Sequence, residues 1–583
     1  MSKRRAPGAT ITFTAALAVF VMLASSSGAQ SQSAQGGLPY AFPKATFADQ
    51  DAKVERLTRG AQMTRDDRAP ARAYAAPTEM LVDPKNPKVI VAATANLRTR
   101  VCHLLRSEDA GRTWKILDAT PAPKDYPYCT QAEPGISQAT IAWGRDGVLY
   151  YGLLGYGDGE GSRGMGVSTR TSVVLARSTD LGNSWSTTLV MDNRRAPDPA
   201  PSADSVTGLA VDTSGAHDVV YVGYSLTYQN LPADSPLNDH PVVVSVSTNG
   251  GRTFALGKNL NDFAHLTEDI DGNQYPLIMT STFGRPFLVA HKGVVMAVSG
   301  PTTPFNRTPP GGSYFAWPYQ HALPYLLARS TDNGQTWSVS KLSPSVFPGV
   351  GHQTGMGWTS RGGAKGTFVF AYAATPSTAD TSGPVDIVVQ RSTDEGQTWS
   401  QPLAINDHDQ LDPSTGFYPM LSTAPNGRVD VVWQDNRDAT DFHFNVRYTY
   451  STDGGRSWAR NIRANDRPLD FNLGVSFNSD VRQPPGVASA DQYAIFGWAD
   501  TRLGNEATQT QDDFSTIAQF KPIPRETSVA PVLAAAFGGL VLAGLVLFVM
   551  QFLQLRRRAG ATTERRARGS TPASSPASTG SSG

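Results

Sequence analysis

Six stretches of this chain set an aspartate or its amide beside two hydroxyls and an aromatic ring. That mixture of groups could do acid–base or nucleophilic work. They read RSEDAGRTWK (106–115), RSTDLGNSWS (177–186), VSTNGGRTFA (246–255), RSTDNGQTWS (329–338), RSTDEGQTWS (391–400) and YSTDGGRSWA (450–459). Recurrence argues against chemistry, because a supersecondary unit is written as often as it is built. The serines stand at 107, 178, 247, 330, 392 and 451, with gaps of 71, 69, 83, 62 and 59. In the fourth copy Gly334 supplies the left-handed backbone of a tight hairpin. Asp332 accepts hydrogen bonds from the N–H groups of that turn. Ser330 and Thr336 cross-brace it, and Trp337 anchors the next strand between layers. Asp109, Asp180, Asn249, Asp394 and Asp453 hold the matching positions and are read as structural in the same way.

The elements that must position a true site are legible around these copies. Each follows an apolar or alternating run such as YLLARS, SVVLARS, DIVVQRS or NVRYTYS. Upstream lie further runs, VIVAATA (89–95), VLYYGLL (148–154), VVYVGYS (219–225), VVMAVSG (294–300), TFVFAYA (367–373) and VDVVWQD (429–435). A seventh, YAIFGWAD (493–500), is followed by FSTIAQF (514–520) without a turn motif. Strand-length runs bounded by turn residues, with no helical period, predict an all-β chain of radial four-stranded blades. The expected fold is a β-propeller over 74–520. Seven blades are favoured, the last completed by N-terminal strands. Six is the alternative, if the final pair only patches the first blade.

Both ends of the chain differ from this core. Lys3, Arg4 and Arg5 precede an apolar run from Ile11 to Ala24, and Ser27-Gly28-Ala29 closes it with small residues, which reads as an export signal over 1–29. Residues 30–73 form an N-terminal segment and 521–531 a linker. A single transmembrane helix is expected at 532–555, because Val532–Met550 is apolar throughout and Arg556, Arg557 and Arg558 follow it. The basic, then Ser- and Pro-rich tail 556–583 is expected to be cytoplasmic, with the ectodomain outside the cell. Without nine basic residues at the ends and Glu564, 42 basic residues face 49 acidic ones, which argues against a nucleic-acid partner. Cys102 and Cys129 are the only cysteines. In an oxidising compartment they suggest one disulfide, two buried thiols being the alternative.

The pattern Ser-x-Asp-x-Gly-x-Thr-Trp is the Asp box, or bacterial neuraminidase repeat. With six copies the chain resembles the sialidase-like propeller superfamily over roughly 75–520. The third copy departs from the pattern, with Asn249 for the aspartate and Phe254 for the tryptophan. In such a propeller the boxes lie on one face. The starts of the inner strands, and the loops between second and third strands, lie on the other, around a central funnel. That geometry nominates Glu133, Asp204, Asp269, Asp271, His352, Asp412 and Tyr418, with Arg98, Arg100, Arg437 and Arg502 from the loops. The aromatic loop 301–321, with Trp317 and Tyr319, could stack on a sugar ring.

A sialidase-like enzyme would need arginines to clamp a carboxylate, an aspartate as acid/base and a tyrosine activated by a glutamate. Tyr418, Glu133, Asp204, Arg437 and Arg502 are the candidates by residue type. The Phe/Tyr-Arg-Ile-Pro motif of that family is missing before the first box, and FGRPF around Arg285 follows the third instead. The family's catalytic set therefore does not carry over. Arg437 and Arg502 recur in parallel contexts, VVWQDNR and FGWADTR, which fits a repeated structural ion pair as well as a clamp. No metal site is expected, although Asp269, Asp271 and Asn273 could offer oxygen ligands to Ca2+ in a short turn. Two functional readings follow. One is a membrane-anchored propeller binding a glycan or an extracellular protein at its funnel face, and the other a divergent exo-α-sialidase type glycoside hydrolase.

Overall fold

The computed structural model describes residues 42–65, 72–129, 139–156, 171–192, 201–228, 240–270, 272–280, 287–300, 321–348, 354–376, 384–408, 414–439, 443–474, 483–521 and 541–558. Up to residue 522 they form one compact unit. It is a ring of seven antiparallel blades. From the inner to the outer strand, blade 1 is Glu79–Val82, Ile90–Asn96, Val101–Ser107 and Lys115–Ile116. Blade 2 is Ala139–Trp143, Leu149–Tyr156, Thr171–Ser178 and Ser186–Met191. Blade 3 is Pro201–Asp212, Val219–Tyr228, Val242–Ser247 and Lys258–Asn259, and blade 4 is Phe287–His291, Val294–Ser299, Leu326–Ser330 and Ser338–Lys341. Blade 5 is Thr354–Thr359, Thr367–Pro376, Asp386–Ser392 and Leu403–Ala404. Blade 6 is Gly416–Thr423, Val429–Asp435, His443–Ser451 and Ile462–Arg463.

Blade 7 closes the ring. Its inner strands are Gly486–Ser489, Tyr493–Asp500 and Asp512–Phe520, and its outer strand is Val54–Gln62. The ring therefore begins upstream of residue 74. Before that strand the chain straps two earlier blades. Ala45 donates to the Ala404 carbonyl at 2.8 Å, and Thr46–Phe47 pairs in parallel with Ser457–Trp458.

Both faces of each blade are covered by a neighbour, so the second strands read as continuous apolar runs rather than alternating ones. Hydrophobic clusters fill the gaps between blades. Leu104 meets Leu153 between blades 1 and 2, and Tyr221 meets Leu326 between blades 3 and 4. Blades 7 and 1 join through Ile495, Ile517, Ile90 and Leu105. The seam between blades 6 and 7 holds a buried ion pair as well. Arg428 Nε donates to Asp430 Oδ1 at 2.9 Å, and its Nη2 donates to the carbonyls of Ala490 and Tyr493. Tyr448 and Ser489 each donate to Asp430 at 2.6 Å, so the charge has the partners that burial demands.

The six repeated turns are built alike. Ser330 Oγ donates to Asp332 Oδ1 at 2.7 Å and accepts the Gly334 N–H at 3.0 Å. Thr336 donates to Asp332 through its N–H and, at 2.6 Å, through its hydroxyl. Trp337 Nε1 donates to the Gly334 carbonyl at 3.1 Å. In the third turn Asn249 reverses one bond, its amide donating to Thr253 Oγ1 at 2.8 Å. Each turn also touches the preceding blade. Gly111 has φ +86, and a Cβ there would come within 2.3 Å of Ile495 in blade 7. Gly182 faces Leu104 of blade 1, and Gly334 faces Val246 of blade 3. The arginine that opens a copy reaches forward instead. Arg106 donates to the Leu181 carbonyl at 3.0 Å, and Arg329 to the Glu395 carbonyl at 2.7 Å. The boxes are thus joints between blades as well as hairpins.

Residues 541–558 form a separate helix ending in Arg556, Arg557 and Arg558. Among the described residues no helix is long and apolar enough to cross a membrane. The first part of the expected span, 532–540, and the expected export signal lie outside the described residues.

Candidate functional site

In an antiparallel blade the start of the inner strand and the loop between second and third strands fall at one end, and the box falls at the other. The inner strands enclose an axial channel of about 340 Å3. Its wall is largely apolar, with Met80, Leu209, Leu288, Met356, Met420 and Val487 contributed by six different blades. A sugar needs converging polar groups. Those groups would have to come from the rim of the funnel face.

Two of the nominated rim arginines, Arg437 and Arg502, are already committed. Arg437 donates to Asp435 through Nε and to Asp407 through Nη1, both at 2.8 Å, and to Asn461 Oδ1 at 3.2 Å. Arg502 repeats the arrangement, giving Nε to Asp500 at 2.9 Å and holding both oxygens of Asp466 at 2.9 and 2.8 Å. Asp407 and Asp466 each follow the outer strand of the preceding blade, so each arginine latches one blade to the last. Trp433 and Trp498 donate to the same aspartates, Asp435 and Asp500, at 3.2 and 3.3 Å. Burial works against the Arg502 charge, but Asp500 and Asp466 outweigh it and leave the guanidinium above its ordinary pKa. The two arginine side chains are only 9% and 7% exposed.

The other nominated residues fall in separate places. Arg98 is exposed and donates to the Thr508 carbonyl at 2.9 Å, bridging the rim loops of blades 1 and 7. Arg100 lies over the Tyr128 ring at 4.6 Å, where burial lowers its pKa despite the nearby tyrosines. Its carbonyl accepts the Cys129 N–H at 3.0 Å, and Cys129 is disulfide-bonded to Cys102. Asp269 caps a short hairpin, accepting Gly272 N–H at 3.0 Å and Gln274 Nε2 at 2.9 Å. Among the described residues no cluster of His, Cys, Asp or Glu could hold a metal. Tyr418 sits in the inner strand of blade 6 with φ 59, at a register shift between Phe417 and Met420. Its ring is buried at 5.0 Å from Phe417. Asp204 lies in the inner strand of blade 3, where only its backbone is described. Glu133, Asp271, His352, Asp412, Trp317 and Tyr319 lie outside the described residues.

Two features of this face were not singled out from sequence. The Asn-Asp pairs 406–407 and 465–466 are the counterpart of the Trp-x-Asp-x-Arg repeat, and their own recurrence was the available signal. The second is a buried acidic pair opening the third strand of blade 7. Asp512 is held by Arg72 at 2.8 Å and Thr64 at 3.1 Å. Among the described residues the Asp513 carboxyl meets only Thr94 Oγ1, at 3.2 Å, on one oxygen, and its Oδ1 has no partner. Burial and the Asp512 charge push the Asp513 carboxyl well above the usual carboxylate range, against the Thr94 bond.

The ring and its six boxes make this chain a seven-bladed β-propeller with Asp-box turns. No known family model matches its sequence. Solved structures of similar fold include a Hadza microbial sialidase, at 12% identity and TM-score 0.40 over 83% of this chain and 96% of that one. A Fusarium graminearum α-L-arabinofuranosidase with arabinobiose shows 13% identity and TM-score 0.37, over 65% and 92%. The Trypanosoma rangeli sialidase with the inhibitor DANA shows 12% identity and TM-score 0.37, over 69% and 56%.

Proposed function

We propose that this chain is a recognition propeller displayed outside the cell, exported by residues 1–29 and tethered through 532–555. It binds a glycan or an extracellular protein through the rim loops of its funnel face and does not hydrolyse it. The observation that carries this reading is the commitment of the rim arginines. Arg437 and Arg502 are spent on Asp435, Asp407, Asp500 and Asp466, and Arg98 on a backbone carbonyl. A clamp for a substrate carboxylate needs guanidinium donors that converge and are still available. These three sit on successive blades, 6, 7 and 1, but each is already held within its own joint.

One observation favours the hydrolase reading. Tyr418 holds a left-handed backbone inside a strand, a state that costs about 1–3 kcal/mol and tends to gather at functional sites. The full chain in membranes, offered fluorogenic sialosides and other glycosides alongside a glycan-binding assay, separates the two. Saturable binding without turnover supports recognition. Turnover that Tyr418→Phe abolishes overturns it in favour of the enzyme.

A further inference from the structure

We propose that the segment 72–76 is a proton-operated latch. It seals the funnel end of the seam between blades 7 and 1 while Asp513 carries a proton, and loosens when that proton is lost. The latch does not depend on what the rim loops bind. Its backbone is tied to both blades. On the blade 7 side the Gln511 N–H donates to the Arg72 carbonyl at 2.9 Å and the Tyr74 N–H to the Gln511 carbonyl at 3.1 Å. Gln511 Nε2 adds a bond to the Tyr74 carbonyl at 2.7 Å. On the blade 1 side the Ala75 N–H donates to the Ala95 carbonyl at 2.9 Å, and the Leu97 N–H to the Ala73 carbonyl at 2.7 Å. Ala73, Tyr74, Ala75 and Ala76 are all buried. Asp513 follows Gln511 by two residues on its strand and Thr94 precedes Ala95, so the Asp513–Thr94 contact lies just inside the seal.

Counting hydrogens decides the state of Asp513. Thr94 Oγ1 lies 2.6 Å from the Ala75 carbonyl and 3.2 Å from Asp513 Oδ2. A hydroxyl has one hydrogen and a carbonyl can only accept, so the shorter contact takes it. An ionised Asp513 would then set a bare oxygen against the Thr94 lone pairs, with Oδ1 unmatched as well. A protonated Asp513 donates to Thr94 instead, and one chain of bonds runs from Asp513 through Thr94 to the latch. In that direction the bond favours the proton, as burial and the Asp512 charge already do. Loss of the proton reverses the chain. Thr94 must turn its hydrogen to the carboxylate, which strands the buried Ala75 carbonyl. Opening of 72–76 relieves both groups by admitting water, which takes up the proton. The titratable and charged groups around Asp513 are Asp512, Arg72, His103 and Tyr74. Asp512 alternates to the other face of the strand, where Arg72 and Thr64 hold it. His103 opposes Thr94 across blade 1, and the Tyr74 ring meets it edge-on at 6.3 Å. Because the proton is released on opening, the open fraction should grow about tenfold per pH unit above the ordinary carboxylate pKa, about 4, until the closed seam itself titrates.

Two measurements on the full chain in an ester-free detergent test the latch. In infrared spectra at neutral pH, parent minus Asp513→Asn should show the C=O band of one protonated carboxyl group. Thr94→Val removes the acceptor and should shift that band without erasing it, and Thr94→Ser should restore it. Hydrogen exchange of the Tyr74 and Ala75 amides is then followed from about pH 5 to about pH 7. On a logarithmic scale the parent's slope should be about two, one part from hydroxide catalysis and one from the linked opening, against about one in Asp513→Asn. His103 titrates in both proteins, so the difference between them leaves it out. No acid band in the parent, a band that Thr94→Val leaves in place, or equal exchange slopes overturns the proposal. Should Asp513→Asn fail to fold, the parent minus Thr94→Val spectrum still decides, since a shifted acid band leaves a paired gain and loss.

Discussion

At Asp332 the hydroxyl and N–H of Thr336 converge on the carboxylate with Ser330 Oγ and the Gln335 N–H, and the pKa falls to about 2. A carboxyl depressed in the folded state adds stability above its unfolded pKa, near 3.8, and loses it as pH falls through the folded value. The contribution of this turn should therefore be complete at neutral pH and fade between about pH 4 and pH 2. Asp332→Ala should lower stability by about 1 kcal/mol at pH 7, whereas Asp332→Asn should lose less, since Asn249 already braces the third turn. Denaturant midpoints at neutral pH and at pH near 3 check both, and an unchanged midpoint for the alanine variant contradicts the bracing role. Asp513 shows the opposite sign. Its carboxyl is raised in the folded state, so the unfolded chain releases that proton first and stability declines as pH climbs above the ordinary carboxylate range. Asp513→Asn supplies a neutral isostere. It should raise the melting temperature at pH 7 and flatten the decline above pH 4, measured by thermal unfolding across that range.

Between elements, the same few residues do the joining at each end of the blades. On the box face a glycine meets the preceding blade and an arginine reaches the next. On the funnel face Arg437 and Arg502 latch backward onto Asp407 and Asp466. Arg502→Ala leaves Asp500 buried beside the Trp498 indole without its cation, a change that should cost about 3 kcal/mol. Arg502→Lys should recover little, because a point charge cannot span both aspartates as a planar guanidinium does. If Arg502 served a ligand instead, alanine would abolish binding and spare the melting temperature. The Cys102–Cys129 bridge pins the rim loop that carries Arg98 and Arg100, closing 27 residues. A loop of that size is worth about 3–4 kcal/mol on chain-entropy grounds. Replacing both cysteines by alanine should cost about that much in chemical unfolding. The strands and box turns were legible in the sequence because they are local, written within ten residues by turn chemistry and apolar runs. The joints were legible only in half, as Trp-x-Asp-x-Arg, because each partner aspartate lies 30 or 36 residues upstream. The rim itself was not legible: its candidates were chosen by residue type, and type does not reveal that a charge is already paired.

For the whole molecule, a ring of blades keeps its sheet edges short and protected only while its last blade is complete. Blade 7 takes its fourth strand from Val54–Gln62, more than 450 residues from the Phe514 that pairs with Gln62. The closure was readable as a count, seven strand pairs against six turn motifs, but the strand that performs it has no box and a half-exposed face, so its position was not. The strap ahead of it gives the closure further hold. Gln50 accepts the Thr452 N–H at 2.9 Å and donates to Ser457 Oγ at 3.1 Å, and the Ala52 carbonyl accepts Tyr450 Oη at 2.9 Å. Closure and strap are thus one segment, laid across the outer edges of blades 5 and 6 before it completes blade 7. Deleting 42–62 should do more than remove one strand's contacts. It uncovers the Asp512–Phe520 edge, takes the Ala52 carbonyl away from Tyr450 beside the adjoining seam, and removes the strand that latches the two ends of the ring together. The expected result is a broad, less cooperative melt and concentration-dependent self-association through the bared edge. Scanning calorimetry with size-exclusion chromatography checks it, and a monomer with one sharp transition near the parent's would show that the ring holds without its N-terminal strand. A milder variant separates closure from strap. Gln50→Ala loses the contacts to Thr452 and Ser457 but keeps the strand, so it should lower the melting temperature modestly while the chain stays monomeric.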